Sequence, residues 1–306
     1  MNVLDFTKKF PNEASCKEHF KEMRIKHGVV CKNCGSKEQH WLAPKWQFEC
    51  KECHFRTTLK SGTIMQSSHI SYRVWFLTIL FMTTTKKGIS ACEMQRQLGH
   101  NRYQTVWKLM HKIRGLMGQR DDLYNLCGTL EFDEGHFETE IPIKKRKKLK
   151  RGKGSERQKN VAVVAESTPL EDLEKGTKSN QCRYFKMKAL ETQDSSSVNS
   201  LFEELIEKDS VVFSDMATHY NGIENFVDVH IIEKSSKKTT TETLKWVHIA
   251  ISNAKRNFLG VYHKINGKYL QSYLNEFVYK LNRRFCKDLF QRVLIAAIFP
   301  YWYKSA

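Results

Sequence analysis

Proline, acidic residues and long apolar runs are all scarce in this chain. Only 5 prolines fall in 306 residues, which excludes a proline-rich linker or fibrous repeat. A hydrophobic content of 40% excludes a disordered chain. Acids are outnumbered, 33 against 51 Lys and Arg, for a formal charge of +18. That imbalance argues for a polyanionic partner, nucleic acid first, against the alternative of a merely soluble basic protein. The most apolar stretch, Val74 to Met82, is far shorter than the roughly 20 residues a membrane-crossing helix needs. The opening MNVLDFTKKF lacks the apolar segment of a signal peptide. A soluble, cytoplasmic protein with no membrane role is expected, long enough for more than one domain.

What is present begins with cysteine. Nine is an odd number, and four of the nine form Cys31-x2-Cys34 and Cys50-x2-Cys53, fifteen residues apart. Each pair presents two thiolates from one tight turn, and two such turns close a tetrahedral zinc site. Four thiolates leave no open position, so this zinc is structural. His40 and His54 are alternative ligands nearby. The segment WLAPKWQFEC reads as the short strands of a zinc ribbon, preceded by an amphipathic helix over Phe6 to Met23. Lys45, Trp46, Lys51, His54 and Arg56 make a basic, aromatic set suited to nucleic acid. Residues 1–60 are thus expected to be an N-terminal helix and zinc ribbon.

Residues 61–127 read as helical. Ser71 to Met82 is apolar nearly all round, the mark of a buried helix. Ser90 with Glu93 three residues on is a capping box, and that helix ends at Leu98-Gly99. A second helix starts near Asn101, with Val106, Leu109, Met110, Ile113 and Met117 at helical spacing. Helix, Gly-containing turn and helix match a helix-turn-helix, as they also match a plain bundle. In the first case Asn101, Arg102, Tyr103 and Gln104 would enter the major groove.

From Gly128 the pattern becomes a mixed α/β sheet. Thr129–Phe132 is a strand that delivers Asp133 and Glu134 at its far end. Strands follow at Asn160–Glu166 and Gln181–Leu190, then a helix Ser195–Glu207, a strand Ser210–Ser214 ending at Asp215, and a strand Val227–Ile232. A long helix from Thr240 to Leu259 has a capping box in Thr239-x-x-Glu242 and a stop at Gly260. Two aspartates at matching strand ends favour a hard divalent cation. On the helix, His248 and Lys255 lie two turns apart on one face. His248 is a candidate third ligand, Asn253 a competing one about 140° away round the helix, and Lys255 a phosphate contact. Glu131 and Glu134 are flanking. Lys144–Lys153, with eight basic residues in ten, reads as a solvated loop and phosphate clamp carried by Lys144, Lys145, Arg146, Lys147 and Lys148. His263 to Arg284 is an amphipathic helix whose Asn282-Arg283-Arg284 end is placed to touch DNA, and Phe290 to Tyr303 is a final apolar helix.

These features together resemble the zinc-ribbon, DDE-type insertion-sequence transposases of the ISXO-like group. The likeness runs over nearly the whole chain. It rests on the four cysteines, on SGTIMQSS, TTTKKGISACEMQRQLG, LEFDEGHFE and FSDMATHY, and on SNAKRNFLGVYHKINGKYLQSYLNEFVYKLNRR. It implies a ribonuclease H-like catalytic domain over 128–306, with two Mg²⁺ or Mn²⁺ ions and one structural Zn²⁺. It puts the family's two aspartates on Asp133 and Asp215. It puts the family's third position on His248, where many members carry glutamate, seven residues before Lys255. Arg256 joins Lys255 as a DNA contact. The resemblance further implies hydrolysis at transposon ends, transfer of the 3′-OH into target DNA, an active complex of two or more chains, and a bacterial-type cytoplasmic location on the nucleoid. Imidazole suits Mn²⁺ better than Mg²⁺. A competing reading is a DNA-binding regulator whose nuclease domain has decayed, and a third is a zinc-ribbon protein of RNA metabolism.

Overall fold

The computed structural model of the protein describes residues 1–141, 157–172, 177–192, 194–220, 222–234, 236 and 239–299. The chain forms two compact units, Met1–Arg120 with the stretch from Phe285 onward, and Asp121–Arg284. The ribbon and the helical module therefore share one unit. The C-terminal apolar helix, Leu289–Ile298, belongs to that unit as well. This differs from a single segment running from 128 to 306.

In the first unit, the one helix expected over Phe6 to Met23 is two, α1 (Val3–Lys9) and α2 (Glu13–His27). Pro11 disfavours helical backbone at Phe10, and Asn12 caps α2 by accepting from the Ser15 N–H at 2.9 Å. The ribbon is a three-stranded antiparallel sheet of β1 (Gln39–Leu42), β2 (Gln47–Cys50) and β3 (Arg56–Thr58). Helix α3 (Tyr72–Thr84) is capped twice. Ser71 accepts from Val74 N–H, and the Glu13 carboxylate accepts from the Tyr72 and Arg73 N–H groups at 2.8 Å each. Phe6, Phe10, Phe76 and Phe290 pack edge-on or tilted into the core, with centroids 5.2–6.2 Å apart. Helices α4 (Ala91–Leu98) and α5 (Tyr103–Asp121) meet at Gly99, whose left-handed φ of 59° is the backbone a helix stop requires.

The second unit is a mixed sheet. Strands β4 (Thr129–Glu140), β5 (Gln158–Asp172) and β6 (Thr177–Ala189) pair antiparallel, and β7 (Val211–Asp215) and β8 (Val229–Glu233) run parallel to β4. The order β6-β5-β4-β7-β8, three consecutive antiparallel strands and then two parallel ones beyond the first, is the expected ribonuclease H-like arrangement. On β5 both faces are apolar. Val161, Val163 and Ala165 lie under α7 (Lys245–Tyr262) and α8 (Leu270–Asn282), and Ala162 and Val164 under α6 (Ser195–Leu205). Burial on both faces is why this strand reads as a continuous apolar run. A short strand β9 (Ile265–Asn266) pairs with the far end of β4.

The outer edge of β6 is covered by α8. Gln271 accepts from Ala189 N–H and donates to Met187 C=O, and Asn282 does the same for both groups of Phe185. This assigns Asn282 and its neighbours to structure. Arg283 pairs with Asp121 at 2.6 Å and Arg284 donates to Cys182 C=O. The helix end that was expected to touch DNA thus makes these internal contacts, while Arg284 stays exposed.

Candidate active site

β4 does not stop at Phe132. It continues to Glu140, paired with β5 throughout Thr129–Glu138. Asp133 thus stands in mid-strand, at the point where β7, the neighbour on its other side, runs out. The β4–β7 ladder pairs Glu131 with Phe213. Carried two residues further, that register sets Asp133 against Asp215, the last residue of β7. Both side chains leave the α7 face, because Leu130, Phe132 and Val212, which alternate with them, fill the opposite core. In place of two strand ends there is one strand end beside an uninterrupted strand.

Helix α7 crosses that face and adds His248, whose Nδ1 is 3.6 Å from Asp133 Oδ2. Two donors on one small ion with bonds near 2.1 Å stand about 3.0–3.6 Å apart at angles of 90–120°. The other oxygen of Asp133, Oδ1, accepts from the Glu134 N–H at 2.7 Å, and Asp215 Oδ1 accepts from Ala217 N–H at 3.3 Å. Each carboxylate is oriented by backbone through one oxygen. Burial pushes the Asp133 carboxyl up to about 6, and the nearby Asp215 charge adds to this. Burial lowers His248, while Asp215 acts in the opposite direction. A buried carboxyl raised by burial and by a second carboxylate, beside an imidazole that burial keeps from charging, is the kind of donor set a divalent cation relieves.

Lys255 lies two turns along α7, exposed, with Nζ 5.7 Å from the Phe137 ring centre. Asn253 is turned away and accepts from Arg256 Nη2 at 2.9 Å. Arg256 is exposed on the outer side of the helix. In the first unit Asn101, Arg102, Tyr103 and Gln104 are all exposed, with α5 beginning at Tyr103 and not at Asn101. The basic residues Lys144, Lys145, Arg146, Lys147 and Lys148 lie outside the described residues.

The four cysteine sulfurs lie within 4.8 Å of one another. Cys31 and Cys53 are 3.6 Å apart, and Cys34 and Cys50 3.5 Å. A tetrahedron with metal–sulfur bonds of 2.3 Å has edges of about 3.8 Å. The two turns are alike, with Gly35 and His54 in the left-handed region after each second cysteine. His54 is therefore a turn residue, and the cysteines alone make up the cluster among the described residues. The Asn33 amide, and then the Phe55 N–H, hold the Cys53 thiol down to about 6, which favours the metal-binding thiolate. Much of the expected basic-aromatic set is spent internally. Lys17 sits 3.8 Å over the Trp46 ring, Lys51 pairs with Glu38, and Arg56 with Glu49.

Residues 125–282 match the family model of the ISXO2-like transposase domain, more than half of the chain. The chain belongs to the ISXO2-like transposase family. Residues 11–56 match the transposase zinc-ribbon domain. The solved Drosophila P element transposase strand transfer complex is similar at a TM-score of 0.24 and 12% identity, over 78% of this chain and 66% of that one. The chain thus spans just under two thirds of that protein, and the likeness is too loose to define a fold. No curated protein matches the sequence. Among the described residues no helix is long and apolar enough to cross a membrane.

Three residues of the transposase domain have roles that escape a sequence reading. The expected Thr239–Glu242 capping box does not form. Thr239–Thr243 is a π-helical turn, and α7 starts at Lys245 with no cap from its N-cap residue, Leu244. Its first-turn N–H groups are instead met by Glu131 of β4, which is therefore not merely flanking. Gly260, read as a stop, lies inside α7. Tyr220, five residues past Asp215, is buried against Phe132, and burial, then the Asp133, Glu134 and Asp215 charges, push its phenol far up. Gly135 lets α7 approach β4, because a Cβ there would meet Ile251 at 3.2 Å. Only the apolar–acidic alternation of LEFDEG hinted that Glu131 shares a face with Asp133.

Proposed function

We propose that this chain is the transposase of an insertion sequence, a metal-dependent enzyme that cuts transposon ends and joins the freed 3′-OH to target DNA. The observation that carries this reading is the meeting of Asp133, Asp215 and His248 from β4, β7 and α7 on one face of the sheet. Two carboxylates and an imidazole would hold two divalent ions, Mg²⁺ or Mn²⁺. When bound, those ions activate the attacking oxygen and neutralise charge on the phosphodiester. The chain's own part is positioning. Asp133 and Asp215 are aimed by backbone N–H groups, His248 is set by its helix, and Lys255 on the same face grips a substrate phosphate. Arg256 and the basic run at 144–148 add phosphate contacts. Asn101, Arg102, Tyr103 and Gln104, at the start of α5, read the terminal inverted repeat. A single Zn²⁺ on the four cysteines holds the ribbon together. The active complex contains two or more chains, formed on DNA in the cytoplasm.

Cleavage of a labelled duplex bearing the element's terminal repeat tests the proposal, run with Mg²⁺ and with Mn²⁺. Wild type is expected to cut, with Mn²⁺ the better ion, and Asp215→Ala and His248→Ala to lose activity by about 100-fold or more. Tight binding of the repeat with no cleavage in either ion would refute the enzyme and leave a DNA-binding regulator.

A further inference from the structure

One buried carboxyl group at this site has no place in the reaction just described. Glu131 is 2% exposed, and a carboxylate is retained at such a position only where donors meet it. The first N–H groups of any helix lack intrahelical acceptors. In α7 the N-cap residue, Leu244, offers no side-chain acceptor. Two of those N–H groups, of Trp246 and Val247, donate to Glu131 Oε2 at 2.7 and 3.1 Å. The next residue is His248. A single strand therefore carries Asp133 and, two residues earlier, the group that holds the helix bearing the partner of Asp133. A second acid braces the same entry. Glu233, the register partner of Asp215, accepts from the Thr243 hydroxyl at 2.8 Å.

We propose that Glu131 is a positioning residue of the active site: from β4 it supplies the N-terminal cap that α7 lacks, and so sets His248 against Asp133. This deepens the active-site reading above and rests on it. Glu131 does not itself reach the substrate. Its acceptor oxygen is filled by two backbone donors, and it acts through the first turn of α7. Without it that turn frays, and fraying is felt first at the residue one position further on.

The test compares full-length, zinc-loaded wild type with Glu131→Gln and Glu131→Leu. Hydrogen exchange is followed at the amides of Trp246 and Val247. Single-turnover cleavage and binding of the repeat duplex are measured in parallel. The glutamine variant keeps an acceptor oxygen and is expected to stay near wild type in all three. The leucine variant is expected to exchange those amides roughly 10- to 100-fold faster, the range that hydrogen bonds to a charged group span. Its cleavage rate should fall by a comparable factor, its half-saturating Mn²⁺ concentration should rise, and its dissociation constant for DNA should not change. Unchanged exchange in Glu131→Leu would overturn the proposal, as would faster exchange with wild-type turnover, or a glutamine variant as defective as leucine. If the leucine variant does not fold, Glu131→Asp carries the comparison, since it keeps the charge and withdraws it by one methylene. A wild type that never cleaves would sink the transposase reading, while the exchange measurement would still decide the cap.

Discussion

Substituting Gly135 by alanine should loosen the active site without touching any of its ligands. Gly135 is two residues past Asp133 on the same face of β4, and its backbone is that of an ordinary strand residue, so alanine brings no conformational strain. The added methyl would stand 2.9 Å from Cε2 of Phe137, and 3.2 and 3.3 Å from Cγ2 and Cγ1 of Ile251. Apolar carbons rest at about 3.5–4.0 Å, so each neighbour has to yield by several tenths of an ångström. Phe137 is buried against Phe258 and cannot swing outward. Ile251 must move instead, and it lies one turn after His248 on α7. Overpacking of this kind costs about 1–3 kcal/mol. A shift of α7 approaching 1 Å at His248 would lower cleavage by up to about 100-fold. Urea unfolding of the Asp121–Arg284 unit and single-turnover cleavage measure the two effects. Ile251→Ala removes both contacted carbons, so the double variant should be less destabilised than the sum of the singles by about 1 kcal/mol. A Gly135→Ala protein with wild-type midpoint and rate, or strictly additive singles, would refute the reasoning.

Further outcomes follow from other parts of the molecule. Atomic absorption should find one zinc per chain and none in a Cys31→Ser, Cys53→Ser variant, and chelation should melt the β1–β3 ribbon while the unfolding transition of the Asp121–Arg284 unit persists. Arg283→Ala removes a guanidinium 2.6 Å from Asp121 and 3.7 Å over the Tyr279 ring. It should cost roughly 2–4 kcal/mol of stability in chemical unfolding and leave the salt dependence of DNA binding unchanged. Burial, and then the Arg114 charge, hold His111 down to about 3. A histidine with a depressed folded pKa stabilises the fold fully above its ordinary value near 6.5, and that contribution is lost as pH falls from there toward 3. Wild type should lose about 1 kcal/mol per pH unit below 6.5, discounted for partial exposure, and His111→Gln should flatten that slope in melts at pH 5 and 7.

The parts of this fold that were legible in the sequence are those written locally. The cysteine spacing specified the ribbon because both turns of a zinc site lie within a few residues of their ligands. The stretch Asn160–Glu166 was legible as a strand, and its apolar centre, Val161 to Ala165, is buried on both faces. Asp133, Asp215 and His248 were singled out as a set, and the fold puts the His248 Nδ1 3.6 Å from Asp133 Oδ2. What was misjudged depended on partners far along the chain. β4 was cut short at Phe132 because acids at Asp133 and Glu134 read as a strand end, whereas β5 continues to pair beside them through Glu138. The cap of α7 was assigned to Thr239, six residues before α7 begins at Lys245, because the real one comes from β4, more than a hundred residues earlier in the chain. Arg283 was read as a DNA contact because its counter-ion, Asp121, is equally remote.

The same distinction bears on His248, the proposed third ligand. With a carboxylate at position 248, three acids would crowd a face of the sheet where Asp133 is already raised to about 6 by burial and by Asp215. Such a cluster repels itself until cations arrive. A neutral imidazole removes one of those charges and still offers a donor nitrogen facing Asp133 Oδ2. The metal-free fold then has less repulsion to offset, while affinity shifts from ions that demand an all-oxygen shell toward ions that accept nitrogen. Histidine gives up the bidentate reach of a carboxylate, so its placement has to be held more exactly than an acid's. In this chain that placement is enforced from the sheet. Glu131 fixes the first turn of α7, Gly135 lets the helix approach, and Asp133 on the same strand receives the imidazole.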